Sequence, residues 1–145
     1  MNSQIFIIEK EEEINQITDY LLNKIQKVKL PCLIQLSGDL GAGKTTFVKY
    51  FLKDLGLKEE VNSPTFAKMH EYKLENYNIY HLDFYRDCIN ENELEEIFLD
   101  NKAIIFIEWL ENLYEKNPEI KLPINFKIQI KVSNNNLREI TFSSF

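Results

Sequence analysis

Arginine, cysteine and positive charge are all scarce in this chain. Among 17 basic residues only Arg86 and Arg138 are arginines, and 23 acidic residues bring the net charge to −6. Phosphate neutralisation dominates nucleic-acid affinity, so this balance argues against an independent grip on DNA or RNA. Any nucleic-acid role would run through a partner. The two cysteines, Cys32 and Cys88, show no metal-ligand spacing and read as reduced thiols of a cytoplasmic protein. No apolar run approaches the roughly 20 residues of a membrane span. Glu9 to Glu13 stand where a secretion signal would place a basic region before an apolar core, so neither membrane nor export is expected. What remains is a chain of 145 residues, 44% hydrophobic and 12% aromatic, which suits one globular domain over residues 1–145.

One stretch organises that domain. Gly38-Asp39-Leu40-Gly41-Ala42-Gly43-Lys44-Thr45 fits G-x-x-x-x-G-K-[ST] at every fixed position. Before it runs Leu33 to Ser37, an apolar segment of strand type. After it Phe47, Phe51, Leu52 and Leu55 recur at helical spacing, with Gly56 as a stop. Strand, glycine-rich loop and helix form the context of a phosphate-binding loop. The loop N–H groups and the helix N-terminus would wrap a β-phosphate, because unpaired amides and the helix dipole favour an anion. Lys44 would neutralise the β/γ oxygens, and the Thr45 hydroxyl would reach Mg²⁺.

Along the rest of the chain, Gln4 to Ile8 reads as a first strand. Ile14, Ile17, Leu21, Leu22 and Ile25 mark one helix face. Thr65 to Leu74 and Tyr77 to Tyr85 read as a hairpin about Glu75-Asn76, which brings antiparallel pairing into an otherwise parallel sheet. Glu91 to Leu99 suits a short acidic helix. Ala103 to Ile107 is a continuous apolar run, as in a strand buried on both faces. A polar connection leads to a final strand pair, Phe126 to Val132 and Leu137 to Phe142, turning at Asn134 to Asn136. The expected architecture is therefore α/β, a three-layer P-loop NTPase fold with a mixed parallel and antiparallel central sheet flanked by helices.

A phosphate loop needs an acid at the end of a neighbouring strand to hold the metal. Glu108, directly after the apolar run, fits that place. Strand alternation puts His81, Asp83 and Tyr85 on one face and Tyr80, Leu82 and Phe84 on the other. Asp83 suits the orientation of an attacking water or a water-mediated hold on Mg²⁺; the competing role is a structural pair with Arg86. His81 by itself suggests little more than a completed hydrogen bond. Ser63-Pro64-Thr65 lies where many P-loop hydrolases keep a threonine that senses the γ-phosphate. Trp109 either shields the site or packs.

Taken in order, Gly38 to Phe47 (with Thr45-Thr46 inside it), Ser63-Pro64-Thr65-Phe66, His81-Leu82-Asp83-Phe84-Tyr85-Arg86 and Glu108-Trp109 resemble the signature of the TsaE family, earlier known as YjeE. The resemblance spans roughly residues 5 to 142. It implies ATP hydrolysis with Mg²⁺, coupled to the TsaD–TsaB transferase pair that forms threonylcarbamoyladenosine at position 37 of tRNAs reading ANN codons. On that resemblance Thr45 and Glu108 are expected as metal ligands, Asp83 as needed for activity, and Thr65 in a switch-like loop. Arg138 is expected at the nucleotide, alongside the P-loop from Gly38 through Thr46, and part of the adenine contact within Glu9 to Glu13. The chain departs from the family at Lys49-Tyr50, where Arg-Gly is common, and at Leu110, where proline is common.

Other nucleotide chemistries fit less well. A small-molecule kinase usually closes an arginine-bearing lid over the phosphoryl group, and two arginines with no lid-length insertion do not build one. A GTPase would carry a guanine-reading Asn-Lys-x-Asp, which is absent. A nucleotide-binding subunit with little hydrolysis of its own stays open.

Overall fold

A computed structural model describes residues 2–145. Seven strands form one sheet, β1 (Asn2–Ile8), β2 (Cys32–Ser37), β3 (Met69–Lys73), β4 (Asn78–Asp83), β5 (Ala103–Glu108), β6 (Phe126–Val132) and β7 (Arg138–Ser144). Their spatial order is β1-β7-β6-β2-β5-β4-β3. The centre, β6-β2-β5-β4, is parallel, and both margins are antiparallel, β3 on β4 at one side and β6-β7-β1 at the other. The expected mixed sheet is the observed one.

Helices α1 (Ile14–Ile25) and α2 (Lys44–Asp54) cover one face, and α3 (Glu91–Phe98) with α4 (Leu110–Lys116) cover the other beside β4 and β5. The two hydrophobic layers explain the sequence patterns. All six residues of β5 are buried, because helices lie on both of its faces. Its odd and even positions divide between the layers: Ile104 and Phe106 join the α1–α2 side, Ile105 and Ile107 the α3–α4 side. Phe106 meets Phe51 of α2 edge-on, with centroids 5.2 Å apart. Along β4 the same alternation holds, and Tyr80 and Leu82, with Phe84 just past its end, enter the α3–α4 layer as the pattern predicts.

Two elements differ from the sequence expectation. The hairpin strands are shorter than Thr65–Leu74 and Tyr77–Tyr85, since Pro64 to Lys68 fold into a turn and β4 stops at Asp83. The Lys68 N–H donates to the Pro64 carbonyl and Lys68 has φ of 67°, which breaks the extended chain. The connection after Glu108 contains α4, whose seven residues are too few to show a helical period. Helix α3 begins where the sequence places it: the Asn90 side chain accepts from the Glu93 N–H at 2.8 Å, a normal N-cap.

Cys32 opens β2 at the bottom of the larger core layer and is fully buried. Burial pushes its thiol up to about 12, from an ordinary value of 9.0, because the thiolate would lose its hydration. The raised value means that the protonated form is favoured in the folded chain. This contribution to stability is present below pH 9.0 and is lost as pH rises towards 12. Native protein at pH 8 should therefore leave Cys32 unlabelled by a thiol-reactive dye on the time scale that labels it fully in denaturant, as read by mass spectrometry.

Candidate functional site

The strands β2, β4 and β5 run parallel, so their carboxyl ends come together at one edge of the sheet. That edge is where a doubly wound sheet places its ligands. The register sets Asp83 directly opposite Glu108, and Glu108 opposite Leu36, two residues before Gly38. Three segments distant in sequence thus meet by strand pairing alone.

The loop between β2 and α2 needs glycine for definite reasons. Gly38 has φ of 154°, and a Cβ there would lie 2.7 Å from the Ile130 carbonyl oxygen and 3.2 Å from Ala42 Cβ. Gly43, with φ of 113°, caps α2 from the left-handed region. The Ala42 N–H donates to the Asp39 carbonyl at 3.0 Å, closing the turn, and the Arg138 Nε–H donates to the Ala42 carbonyl at 3.0 Å from β7. Arg138 thereby braces the outside of the loop.

Lys44, the first residue of α2, is 6% exposed and turns back across the loop. Its Nζ donates to the Gly38 carbonyl at 2.6 Å, lies 3.9 Å from Glu108 Oε1, and sits 4.3 Å from the centre of the Trp109 ring. The other Glu108 oxygen, Oε2, accepts from His81 Nε2 at 2.5 Å. A carboxylate offers only acceptors, so the tautomer that pairs with it carries its hydrogen on Nε2.

Thr65 closes the cleft from the loop after α2. Its Oγ1 donates to Asp83 Oδ2 at 2.8 Å, so Ser63 Oγ is the donor in the 2.7 Å Ser63–Thr65 contact. Asp83 Oδ1 accepts from the Tyr85 N–H at 2.9 Å. Asp83 thus makes no pair with Arg86, whose guanidinium lies 4.5 Å over the Phe66 ring. Trp109 occupies a left-handed conformation, φ 60° and ψ 40°, as N-cap of α4, and its ring leans on Tyr85 at 4.9 Å. A bulky residue held in that region is strained, a condition common at ligand clamps. The Asn112 amide donates to the Phe84 carbonyl at 2.9 Å and ties α4 to the end of β4.

These side chains line a cleft of about 280 Å³ formed by Leu40, Gly41, Gly43 to Thr46, Ser63, Thr65, Asp83, Glu108 and Trp109. A second hollow of about 620 Å³ lies on the other side of Leu40, Gly41 and Trp109, against Gln129 to Val132. Of the residues singled out in the sequence, Lys44, Thr45, Thr46, Thr65, Asp83 and Glu108 share the cleft; Gly38, Asp39 and Ala42 line the neighbouring hollow. Residues 9–13 line neither, and Glu11 instead accepts from the Tyr50 hydroxyl at 3.0 Å. His81 completes a hydrogen bond, as expected, and its partner is Glu108; Trp109 lies over the Lys44 ammonium. The signal for His81 was present, a histidine two residues before an acid on a strand face, but its partner is 27 residues away on another strand.

The oxygen donors here, the Thr45 hydroxyl and the Glu108 and Asp83 carboxylates, suit a hard cation such as Mg²⁺. Among the described residues no group of three or more carboxylate, imidazole or thiol side chains is arranged to hold a metal. A cation kept by one or two protein ligands and completed by phosphate oxygens and water is the usual Mg²⁺ arrangement.

A parallel strand core, a glycine loop running into a helix, a lysine under that loop and an acid on the adjacent strand define a P-loop NTPase fold. The model of the family described as "Threonylcarbamoyl adenosine biosynthesis protein TsaE" matches residues 8–140. The chain belongs to the TsaE family. A Bacillus subtilis (strain 168) protein named tRNA threonylcarbamoyladenosine biosynthesis protein TsaE is 40% identical over 116 residues, 77% of this chain and 69% of that protein. A Rickettsia typhi protein of the same name is 36% identical over 118 residues, covering 78% of both. The crystal structure of Bacillus subtilis YdiB aligns with a TM-score of 0.74 at 30% identity, over 99% of this chain and 86% of that one.

The fit at Gly38 gives a direct test. An alanine there meets backbone on one side, so the neighbour cannot rotate away, and the β2–β6 pairing at Ser37 and Gln129 must open. Gly38→Ala should lose about 1–3 kcal/mol in chemical denaturation, the cost of overpacking a tight contact.

Proposed function

We propose that the protein is a cytoplasmic, Mg²⁺-dependent ATPase that supports a TsaD–TsaB transferase in forming N6-threonylcarbamoyladenosine at position 37 of tRNAs reading ANN codons. It would meet tRNA only through that complex. The observation that carries the reading is the meeting, in one cleft, of the P-loop lysine, an acid at the end of the adjacent parallel strand and a Thr65–Asp83 latch. Membership of the TsaE family supplies the pathway.

In this reading the backbone N–H groups of Gly41 to Thr45 and the N-terminus of α2 bind the phosphates of ATP. Lys44 leaves the Gly38 carbonyl and Glu108 for the β/γ oxygens, exchanging one set of oxygen partners for another. Thr45 and Glu108 would hold Mg²⁺, which when bound would neutralise charge on the phosphate oxygens. Asp83 orients the attacking water. Thr65, already hydrogen-bonded to Asp83, releases that carboxylate when its hydroxyl turns to the γ-phosphate, so the loop from Ser63 to Phe66 senses the nucleotide state. Trp109 covers Lys44 and keeps water from its ammonium.

One observation favours a second reading, a nucleotide-binding subunit with little turnover of its own. Neither arginine lines the cleft: Arg138 is held on the Ala42 carbonyl of the P-loop and Arg86 over Phe66. An arginine at the transferring phosphate contributes about 10³–10⁵ in rate, and without one the isolated protein should be slow. Phosphate release measured with and without TsaD–TsaB separates the two: strong stimulation supports the ATPase, and no hydrolysis in either condition overturns it. Lys44→Ala should abolish nucleotide binding or turnover. Glu108→Ala should retain ATP affinity within a few-fold while turnover falls by roughly 10²–10³, the usual cost of removing a transition-state electrostatic partner; Trp109 fluorescence reads the binding half of that comparison.

A further inference from the structure

His81 is the one buried polar side chain at this edge to which the hydrolytic reading gives no task. It is fully buried, and Nδ1 is enclosed with no hydrogen-bond partner among the described residues. The ring therefore makes a single polar contact, from Nε2 to Glu108 Oε2. Leaving a nitrogen unsatisfied in a core costs stability, and a leucine or phenylalanine would fill the same volume without that cost. The imidazole is explained by what it does to Glu108.

The two Glu108 oxygens have different surroundings. Oε2 is held from inside the sheet by His81, while Oε1 faces Lys44 across 3.9 Å at the cleft. Both residues stand on neighbouring parallel strands, with His81 paired to Phe106 and therefore two residues inward of Glu108 on the same face. A glutamate has three side-chain torsions, and a single firm hydrogen bond on one oxygen fixes the plane of the other. We propose that His81 is the positioning residue for Glu108, holding Oε2 so that Oε1 alone is presented to the cation and to Lys44. This rests on the reading of Glu108 as a Mg²⁺ ligand given above. Hydrogen-bond partners of ligating carboxylates commonly carry 10–100-fold in metal affinity or activity.

The consequence is a division of labour on one carboxylate. When Lys44 turns to the phosphates, Oε1 loses its cationic neighbour but keeps its direction, because the hold on Oε2 does not involve the lysine. Without His81 the carboxylate is free to follow Lys44 or to swing out to water, and the cation meets a mobile ligand.

The test compares His81→Phe, which keeps a ring of similar size without the donor, with His81→Gln, whose amide N–H restores a donor near the place of Nε2. For each, ATP affinity without Mg²⁺ and the Mg²⁺ concentration at half-saturation of the nucleotide complex are read from Trp109 fluorescence. Thermal unfolding and steady-state kcat and KM complete the set. His81→Phe should leave Mg²⁺-free ATP affinity within about 2-fold and raise the half-saturating Mg²⁺ by about 10-fold or more. It should lower kcat more than it changes KM, and His81→Gln should recover most of the loss. A His81→Phe protein with the wild-type Mg²⁺ requirement and kcat overturns the proposal. So does equal impairment of both variants with a matching fall in melting temperature, which marks simple core filling. If Glu108→Ala loses the Mg²⁺ dependence while His81→Phe keeps it, only the role of His81 falls. If the wild type shows no Mg²⁺-dependent nucleotide binding, the functional reading falls with it.

Discussion

A buried ammonium is among the more expensive things a protein can hold, and Lys44 is 6% exposed. Much of this sheet edge is arranged to make that tolerable. The Gly38 carbonyl accepts a hydrogen bond from it, Glu108 Oε1 supplies the opposite charge, and the Trp109 ring covers another side. Each of those partners brings a requirement of its own. The carbonyl is aimed by a glycine that leaves no space for a Cβ, the glutamate is itself buried and held by His81, and the tryptophan is kept in a left-handed conformation at the start of α4. Ion pairs of this kind rarely contribute much net stability, because desolvation offsets the attraction. The arrangement makes better sense as a prepared site, where all the partners of Lys44 are oxygens or a π face that an anionic ligand can replace.

The chain of dependence runs outward from there. Glu108 reaches Lys44 only because β5 lies beside β2 in parallel, and Asp83 reaches the same cleft only because β4 lies beside β5. Parallel pairing requires long crossovers, and the segments that supply them are α2 with its following loop and α3. That following loop carries Thr65 back to Asp83. The antiparallel margins extend the sheet, and β7 also delivers Arg138 to the outside of the P-loop.

Much of the fold was legible because its signals are local or periodic. The glycine loop between a strand and a helix, the two-faced burial of residues 103–107 and the acidic helix after Asn90 all announce themselves within a dozen residues. Helix α4 did not, being a seven-residue element inside a polar connection. The hairpin is present but shorter than its aromatic content suggests, because the turn that ends at Lys68 breaks the extended chain. At the site, the residue types pointed to Lys44, Thr45, Asp83 and Glu108 one at a time. Their mutual contacts, and the hold of Arg138 on the Ala42 carbonyl and of Arg86 on the Phe66 ring, cannot be seen from spacing.

The amino-acid sequence by itself determined an α/β chain with a P-loop and the order of its motifs, since glycine freedom, helix spacing and strand alternation are properties of neighbouring residues. Only the tertiary structure decided which groups face one another. His81 is 27 residues from Glu108 and Arg138 is 96 from Ala42, and strand register closes both gaps to hydrogen-bond distance. Register is a long-range outcome of which apolar faces must be buried together, and no local pattern contains it.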